Sequence, residues 1–265
     1  MDRRNQDQFN ALQSRQFGIQ PSSNKRVEAL VLLFTGINQA GQVGALSDLG
    51  SGRTTYFGEQ AHNVDYQALG DVGDINYGSN LFSSTDGGAF TATVVIPNYA
   101  PTFENGLQVV SQSDFIFEHV PGDQGTVFAS LNCTVYAIYS DVPANYVYRM
   151  LRDNQNEDGA VNSKPYQLNR RNIESIFLKD VDDALTLVSL TQDGDQVLTP
   201  QSYTLLEAMT LYDNRLETTS VNRAKIITHT PGIPQTTVNR DTVIELTSSG
   251  AFDAEILVCM LDWLS

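Results

Sequence analysis

The run 126–139 alternates without a break. Val127, Ala129, Leu131, Cys133, Val135, Ala137 and Tyr139 fall on one side of a period of two, and Thr126, Phe128, Ser130, Asn132, Thr134, Tyr136 and Ile138 on the other. That period belongs to an extended strand, whose successive side chains point to opposite faces of a sheet. Val27 to Phe34 is an apolar run closed by Thr35-Gly36, the pattern of a strand buried on both faces. Shorter strands are expected at 54–57, 90–96, 107–110 and 114–120. Between them lie two glycine-rich stretches, 36–52 and 70–88, read as long loops with an interaction role.

The second half repeats the programme. Ile173-Glu174-Ser175-Ile176 follows Arg170-Arg171-Asn172 as Val27-Glu28-Ala29-Leu30 follows Lys25-Arg26. Strands are expected at 184–190, 224–230, 242–247 and 254–264. Ile116-Phe117-Glu118-His119-Val120-Pro121-Gly122 is echoed by Ile226-Ile227-Thr228-His229-Thr230-Pro231-Gly232. A helix is expected over 200–209, with Thr199 as cap, Pro200 in the first position, and Tyr203, Leu206 and Met209 at helical spacing. Residues 1–24, rich in Gln, Asn and Ser, read as an arm: a short helix with Phe9 and Leu12 on one face, or a disordered tail. Tyr146-Val147-Tyr148 anchors a linker between the halves. The expected organisation is therefore an arm at 1–24, a first barrel at 25–140, a linker at 141–171 and a second barrel at 172–265.

Charge and composition narrow the function. The 265 residues suffice for one or two domains, and 41% apolar against 18% charged residues is the balance of a folded globular chain. Apolar runs such as 29–34 are far too short to span a bilayer, and no apolar stretch follows the charged first residues, so no secretory leader is expected. A net charge of -15 disfavours a surface that grips nucleic acid through its phosphates, and no sequence-specific nucleic acid is expected. The first 26 residues depart from this, with five basic residues against Asp2 and Asp7.

No catalytic constellation appears. His62, His119 and His229 lie far apart in sequence, and neither a nucleophile elbow nor a phosphate-binding glycine loop nor a paired-cysteine zinc motif occurs. Cys133 and Cys259 sit in apolar strand patterns and read as reduced, buried thiols. Asp180, Asp182, Asp183, Asp193 and Asp195 offer hard oxygens, and calcium is the one ion they suggest, but their spacing is not that of an EF-hand; wet turns are the plainer reading. No cofactor and no enzymatic activity are expected.

Two all-β halves, a polar basic arm, a linker and a helix in the second half together resemble the double jelly-roll major capsid proteins. This is the lineage of tectiviruses, corticoviruses and adenovirus hexons, and the layout is most similar to small corticovirus-type phage coat proteins. The resemblance runs from about Arg26 to Ser265 and rests on the two strand starts at Lys25 to Leu30 and Arg171 to Ile176. It implies an all-β fold of two tandem eight-stranded jelly rolls with a short N-terminal arm. It also implies a homotrimer forming a pseudo-hexameric tile, and contacts with neighbouring capsomers and with penton or minor capsid proteins. The place implied is the capsid of an icosahedral virion, assembled in the host cytoplasm, of a phage with an internal membrane. The arm residues Arg3, Arg4, Phe9, Leu12 and Arg15 would face that membrane or the particle interior. The competing reading is a virion spike or carbohydrate-binding β-sandwich adhesin; the repeated barrel start and the basic arm favour the shell, and Trp263, the one tryptophan, is expected in the core.

Overall fold

The computed structural model describes residues 1–77, 82–101, 104–123, 125–168, 170, 172–214, 222–228 and 241–263. The chain divides into two compact units, Met1–Arg149 with Trp263–Ser265, and Met150–Asp262. Strand β1 (Asp2–Asn10) opens the first unit, followed by β2 (Arg15–Gly18), β3 (Arg26–Asn38), a 3-10 turn (Leu46–Leu49), β4 (Ser51–Tyr56) and β5 (Glu59–Asp65). Helix α1 (Tyr66–Tyr77), β6 (Phe82–Ser84), β7 (Ala89–Pro97), β8 (Phe115–Val120) and β9 (Phe128–Ser140) complete it. β10 (Tyr146–Arg152) leads into the second unit, which continues with β11 (Gln155–Glu157), β12 (Lys164–Leu168), β13 (Ile173–Asp180), β14 (Leu185–Gln192) and β15 (Asp195–Ser202). Helix α2 (Tyr203–Asp213), β16 (Ala224–Ile227), β17 (Thr242–Ser248) and β18 (Phe252–Trp263) close it.

In the first unit one sheet runs β1-β9-β3-β7-β6 and the other β2-β8-β4-β5, all pairings antiparallel. The alternation of 126–139 becomes β9, whose Leu131, Cys133, Val135, Ala137 and Tyr139 are buried. β3 buries Leu30, Leu32 and Phe34 inward and keeps Val31 and Leu33 half-buried outward, which explains its unbroken apolar run. Burying each of these large side chains contributes about 1.5–3 kcal/mol. In the second unit β12-β17-β14-β15 forms one sheet, and β13 pairs with β16 on one side and β18 on the other. Its core includes Ile176, Leu178, Val188, Leu190, Leu246 and Val258.

Both units contain the same local device. A hairpin with a two-residue loop leads directly into a helix whose first residue is a buried tyrosine. In the first unit the loop is Phe57-Gly58, between Tyr56 and Glu59, and the tyrosine is Tyr66. In the second it is Asp193-Gly194, between Gln192 and Asp195, and the tyrosine is Tyr203. All four loop residues have positive φ, 48° and 81° in one and 52° and 85° in the other, as in the I′ turns that suit the twist of a hairpin.

Several expectations are corrected. Residues 1–24 are neither helix nor tail: β1 pairs with β9 from Asp2 to Asn10, and β2 pairs with β8. Polar side chains on an edge strand show no hydrophobic alternation, so backbone pairing supplies what the pattern lacks. The stretch 70–88 is not one long loop, because α1 runs through Gly70 and Gly73 with Ala68, Leu69, Val72 and Ile75 buried. Residues 141–171, expected as a linker, hold β10, β11 and β12. The expected helix at 200–209 begins at Tyr203, with Pro200 still in β15 and Ser202, not Thr199, accepting a hydrogen bond from the Leu205 N–H at 3.2 Å. Residues 107–110 contribute an isolated bridge from Leu107 to Val27 and no named strand. The heptapeptide echo is described as far as Thr228; His229 to Gly232 lie outside the described residues.

Candidate assembly surfaces

The N-terminal segment is tied into the first unit through His119. Its Nε2 lies 2.8 Å from the Ala11 carbonyl, which can only accept, so Nε2 carries the proton and donates. Nδ1 then accepts from the Tyr66 hydroxyl at 2.8 Å. The ring stacks on Tyr66 and packs beside Phe9 and Phe34, so one imidazole joins β8, α1 and the turn after β1. Burial holds it neutral, pushing its pKa below the usual histidine value. His62, fully buried, shares a 2.6 Å contact between Nδ1 and the Thr54 hydroxyl, and burial brings its pKa down to about 3. Neither histidine is presented to solvent.

The expected arm residues are accounted for one by one. Arg4 pairs with Asp2 at 2.9 Å and lies over the Tyr139 ring. Arg15 pairs with Asp7 at 2.7 Å, and Arg3 lies over the Tyr136 ring at 3.8 Å. Phe9 packs on Phe17, and Leu12 is half-buried. The structure thus distributes these five along β1, the turn after it and β2 and does not gather them into one protruding arm.

Three of the five aspartates weighed as ion ligands accept backbone hydrogen bonds. Asp180 accepts the Leu185 N–H at 2.7 Å, Asp182 the Asp253 N–H at 2.9 Å, and Asp193 the Asp241 N–H at 2.9 Å. Among the described residues no group of three His, Cys, Asp or Glu side chains is placed to hold a metal. Cys133 and Cys259 are both buried, and burial raises the Cys133 thiol far above its usual pKa.

What the surface does offer is apolar. In the first unit Phe57 is 63% exposed and Val110 72%. Both are tied to Asp114: the Phe57 N–H donates to its carbonyl at 2.7 Å, and its carboxylate accepts from the Val110 N–H at 2.9 Å. In the second unit α2 turns Tyr203, Leu206 and Thr210 inward, and the Thr210 hydroxyl accepts the Lys225 N–H of β16 at 2.8 Å. Its opposite face shows Leu205, Met209 and Tyr212, one turn apart each, with Tyr212 84% exposed. Sequence reasoning took Phe57 for the end of a strand and set Met209 at helical spacing with Tyr203 and Leu206, whereas Met209 is exposed on the opposite face; the Gly58 and Gly194 that close the two hairpins were the signal that could have exposed the turn.

Two jelly rolls in succession along one chain make this fold the double jelly roll. Solved structures match it almost end to end at low identity. The STIV MCP shares 13% identity over 98% of this chain and 96% of its own, with a TM-score of 0.72. The major capsid protein P2 of bacteriophage PM2 shares 12% over 100% and 98%, with a TM-score of 0.69. The Faustovirus major capsid protein shares 7% over 99% and 90%, with a TM-score of 0.67. No family model and no curated protein matches the sequence.

Proposed function

We propose that this chain is a major capsid protein, a structural subunit that associates with copies of itself to tile the shell of an icosahedral virus. The observation that carries the reading is the reciprocal match: the whole chain, and nearly the whole of each capsid protein compared with it, is accounted for by one double jelly roll. The surface fits such a role, since its exposed apolar groups include Phe57 at a hairpin turn and Leu205, Met209 and Tyr212 on one helix face, where contacts between subunits gain most. The capsomer is a homotrimer, in which three chains with two barrels each give a six-cornered tile, and it sits in the virion beside neighbouring capsomers and penton or minor capsid proteins. Arg3, Arg4, Phe9, Leu12 and Arg15 are assigned to the interior side, where arginine meets phosphate headgroups of an internal membrane. Sedimentation of the purified chain tests the reading. A species near three times 29.2 kDa, and shell fragments or particles under the electron microscope at high concentration, are expected. A chain that stays single at all concentrations overturns it, and binding of a glycan by that single chain would establish the adhesin instead.

A further inference from the structure

Phe57 is the one place in the described structure where a bulky, exposed aromatic is held in left-handed backbone, with φ 48°. That conformation is costly for a side chain of this size, and loops of this type favour Asn-Gly or Asp-Gly. The chain itself supplies the comparison: the matching turn of the second unit carries Asp193 before its glycine. At the tip the phenyl ring meets the Tyr56 ring edge-on at 4.6 Å, and most of it faces solvent. Strain retained at an exposed aromatic is the mark of a residue kept for contact.

The surroundings of the tip state what it contacts. Ser22 N–H donates to the Val109 carbonyl at 3.0 Å, and Gln108 donates from its amide to the Ser22 carbonyl at 3.2 Å, which brings the turn before Lys25 and Arg26 against the loop that carries Val110. Tyr56, whose hydroxyl reaches the Gln108 carbonyl at 2.8 Å, has its pKa raised by burial and by Asp114 and drawn back by Arg26. The acids at the tip are engaged, Glu59 with Arg149 at 2.6 Å and Asp114 with the backbone of Val110 and Ser111. The cations are not: among the described residues no carboxylate lies within ion-pair distance of Lys25 or Arg26, and the Arg26 Nε is buried without a hydrogen-bond partner. The apolar tip is therefore bordered by two half-buried cations, Lys25 and Arg26, that no described carboxylate pairs. The open face of α2 is its converse. Thr204, Leu205, Ala208, Met209 and Tyr212 bear no charge, and the exposed Asp213 ends the stripe, with the largely buried Lys225 of β16 as the cation within its electrostatic reach.

We propose that Phe57 anchors one copy of this chain on the next, the Phe57–Val110 knob of one first unit seating on the Leu205–Met209–Tyr212 face of α2 in a second copy, with Lys25 and Arg26 toward Asp213. This rests on the self-assembly reading above. Knob on knob would oppose four cations, and stripe on stripe would oppose two acids, so the pairing is heterologous and propagates from copy to copy. Methionine beside an aromatic ring suits such a contact, because its side chain adapts to the ring it receives.

The test uses the full chain and two variants, Phe57→Asn and Met209→Lys, followed by sedimentation and native mass. Phe57→Asn installs the residue the turn prefers, so its loss of assembly cannot be assigned to misfolding, and thermal unfolding checks both variants. Each variant alone is expected to be a single chain, with the dissociation constant raised roughly 30-fold or more. Mixed together they are expected to form a two-chain species and nothing larger, because Phe57→Asn keeps an intact α2 face and Met209→Lys keeps an intact knob. Assembly of Phe57→Asn like the parent chain, or a mixture of folded variants that stays unassociated, overturns this contact while leaving the capsid reading in place. A parent chain that never associates overturns both.

Discussion

His119 and His62 are buried bases held neutral by the fold, and this sets the sign of the response to acid. Both have folded pKa values below the ordinary 6.5, that of His62 at about 3. In the unfolded chain each ring takes up a proton below about pH 6.5, whereas in the folded chain it does not, so the unfolded state binds more protons and stability falls as pH falls. The contribution is complete above pH 6.5 and is lost progressively from there toward 3, at about 1.4 kcal/mol per pH unit for a ring that stays neutral. The urea midpoint is expected to drop between pH 7 and pH 5, and a His62→Leu variant to show a shallower drop. An unchanged midpoint over that range would contradict neutral burial of the rings. Asp123 acts lower on the scale. Burial pushes its pKa up, but hydrogen bonds from the Thr126 hydroxyl and the N–H groups of Phe128, Thr126 and Val127 outweigh that and bring it to about 2. Its share is present above 3.8 and lost as pH falls toward 2. The roles of these residues were not legible in sequence, because three scattered histidines give no hint of which will be walled in. The echo of Pro121-Gly122 has a local meaning only in the fold, where Gly122 and Gly50 approach so closely that a Cβ on Gly122 would lie 2.6 Å from the Gly50 nitrogen.

Hairpins and helices carry the next level. The Phe57-Gly58 turn holds a phenylalanine where asparagine costs less, so Phe57→Asn is expected to raise the stability of the isolated chain by about 1 kcal/mol, read as a higher Tm. A lower Tm would mean that the ring supports the fold through Tyr56. At α2, Ser202→Ala removes the side-chain acceptor of the Leu205 N–H and is expected to cost about 1 kcal/mol, whereas Thr199→Ala, three residues earlier in β15, is expected to cost less than half of that. Elements buried on one face announced themselves: β3, β7, β9, β17 and β18 all follow the apolar period of two or a compact apolar run. Those missed were built from other materials. β1 keeps Arg3, Asn5, Gln8 and Asn10 exposed on an edge, and its pairing with β9 depends on backbone groups that every sequence possesses. In α1 the stripe of Ala68, Leu69, Val72 and Ile75 has helical spacing, but Gly70 and Gly73 lower helix propensity enough to disguise it; burial against β7 and β5 supplies the missing stability.

At the scale of the molecule, association has to overcome charge. Each chain carries a net -15, so two copies repel over a distance set by salt. At roughly 10 mM ionic strength the screening length is about 30 Å, comparable to a domain, and the whole negative charge of one copy is felt by the other; at roughly 0.15 M it is about 8 Å. The apolar knob and stripe act only at contact and are insensitive to that change, while the attraction of Lys25 and Arg26 for Asp213 works over a few ångströms and survives most of it. Net repulsion therefore fades faster than local attraction. Self-association measured by sedimentation is expected to strengthen as salt rises from 10 mM to 0.15 M and to change little beyond. A steady weakening across that range would show that opposite charges, and not the Phe57 contact, dominate the joining of one copy to the next.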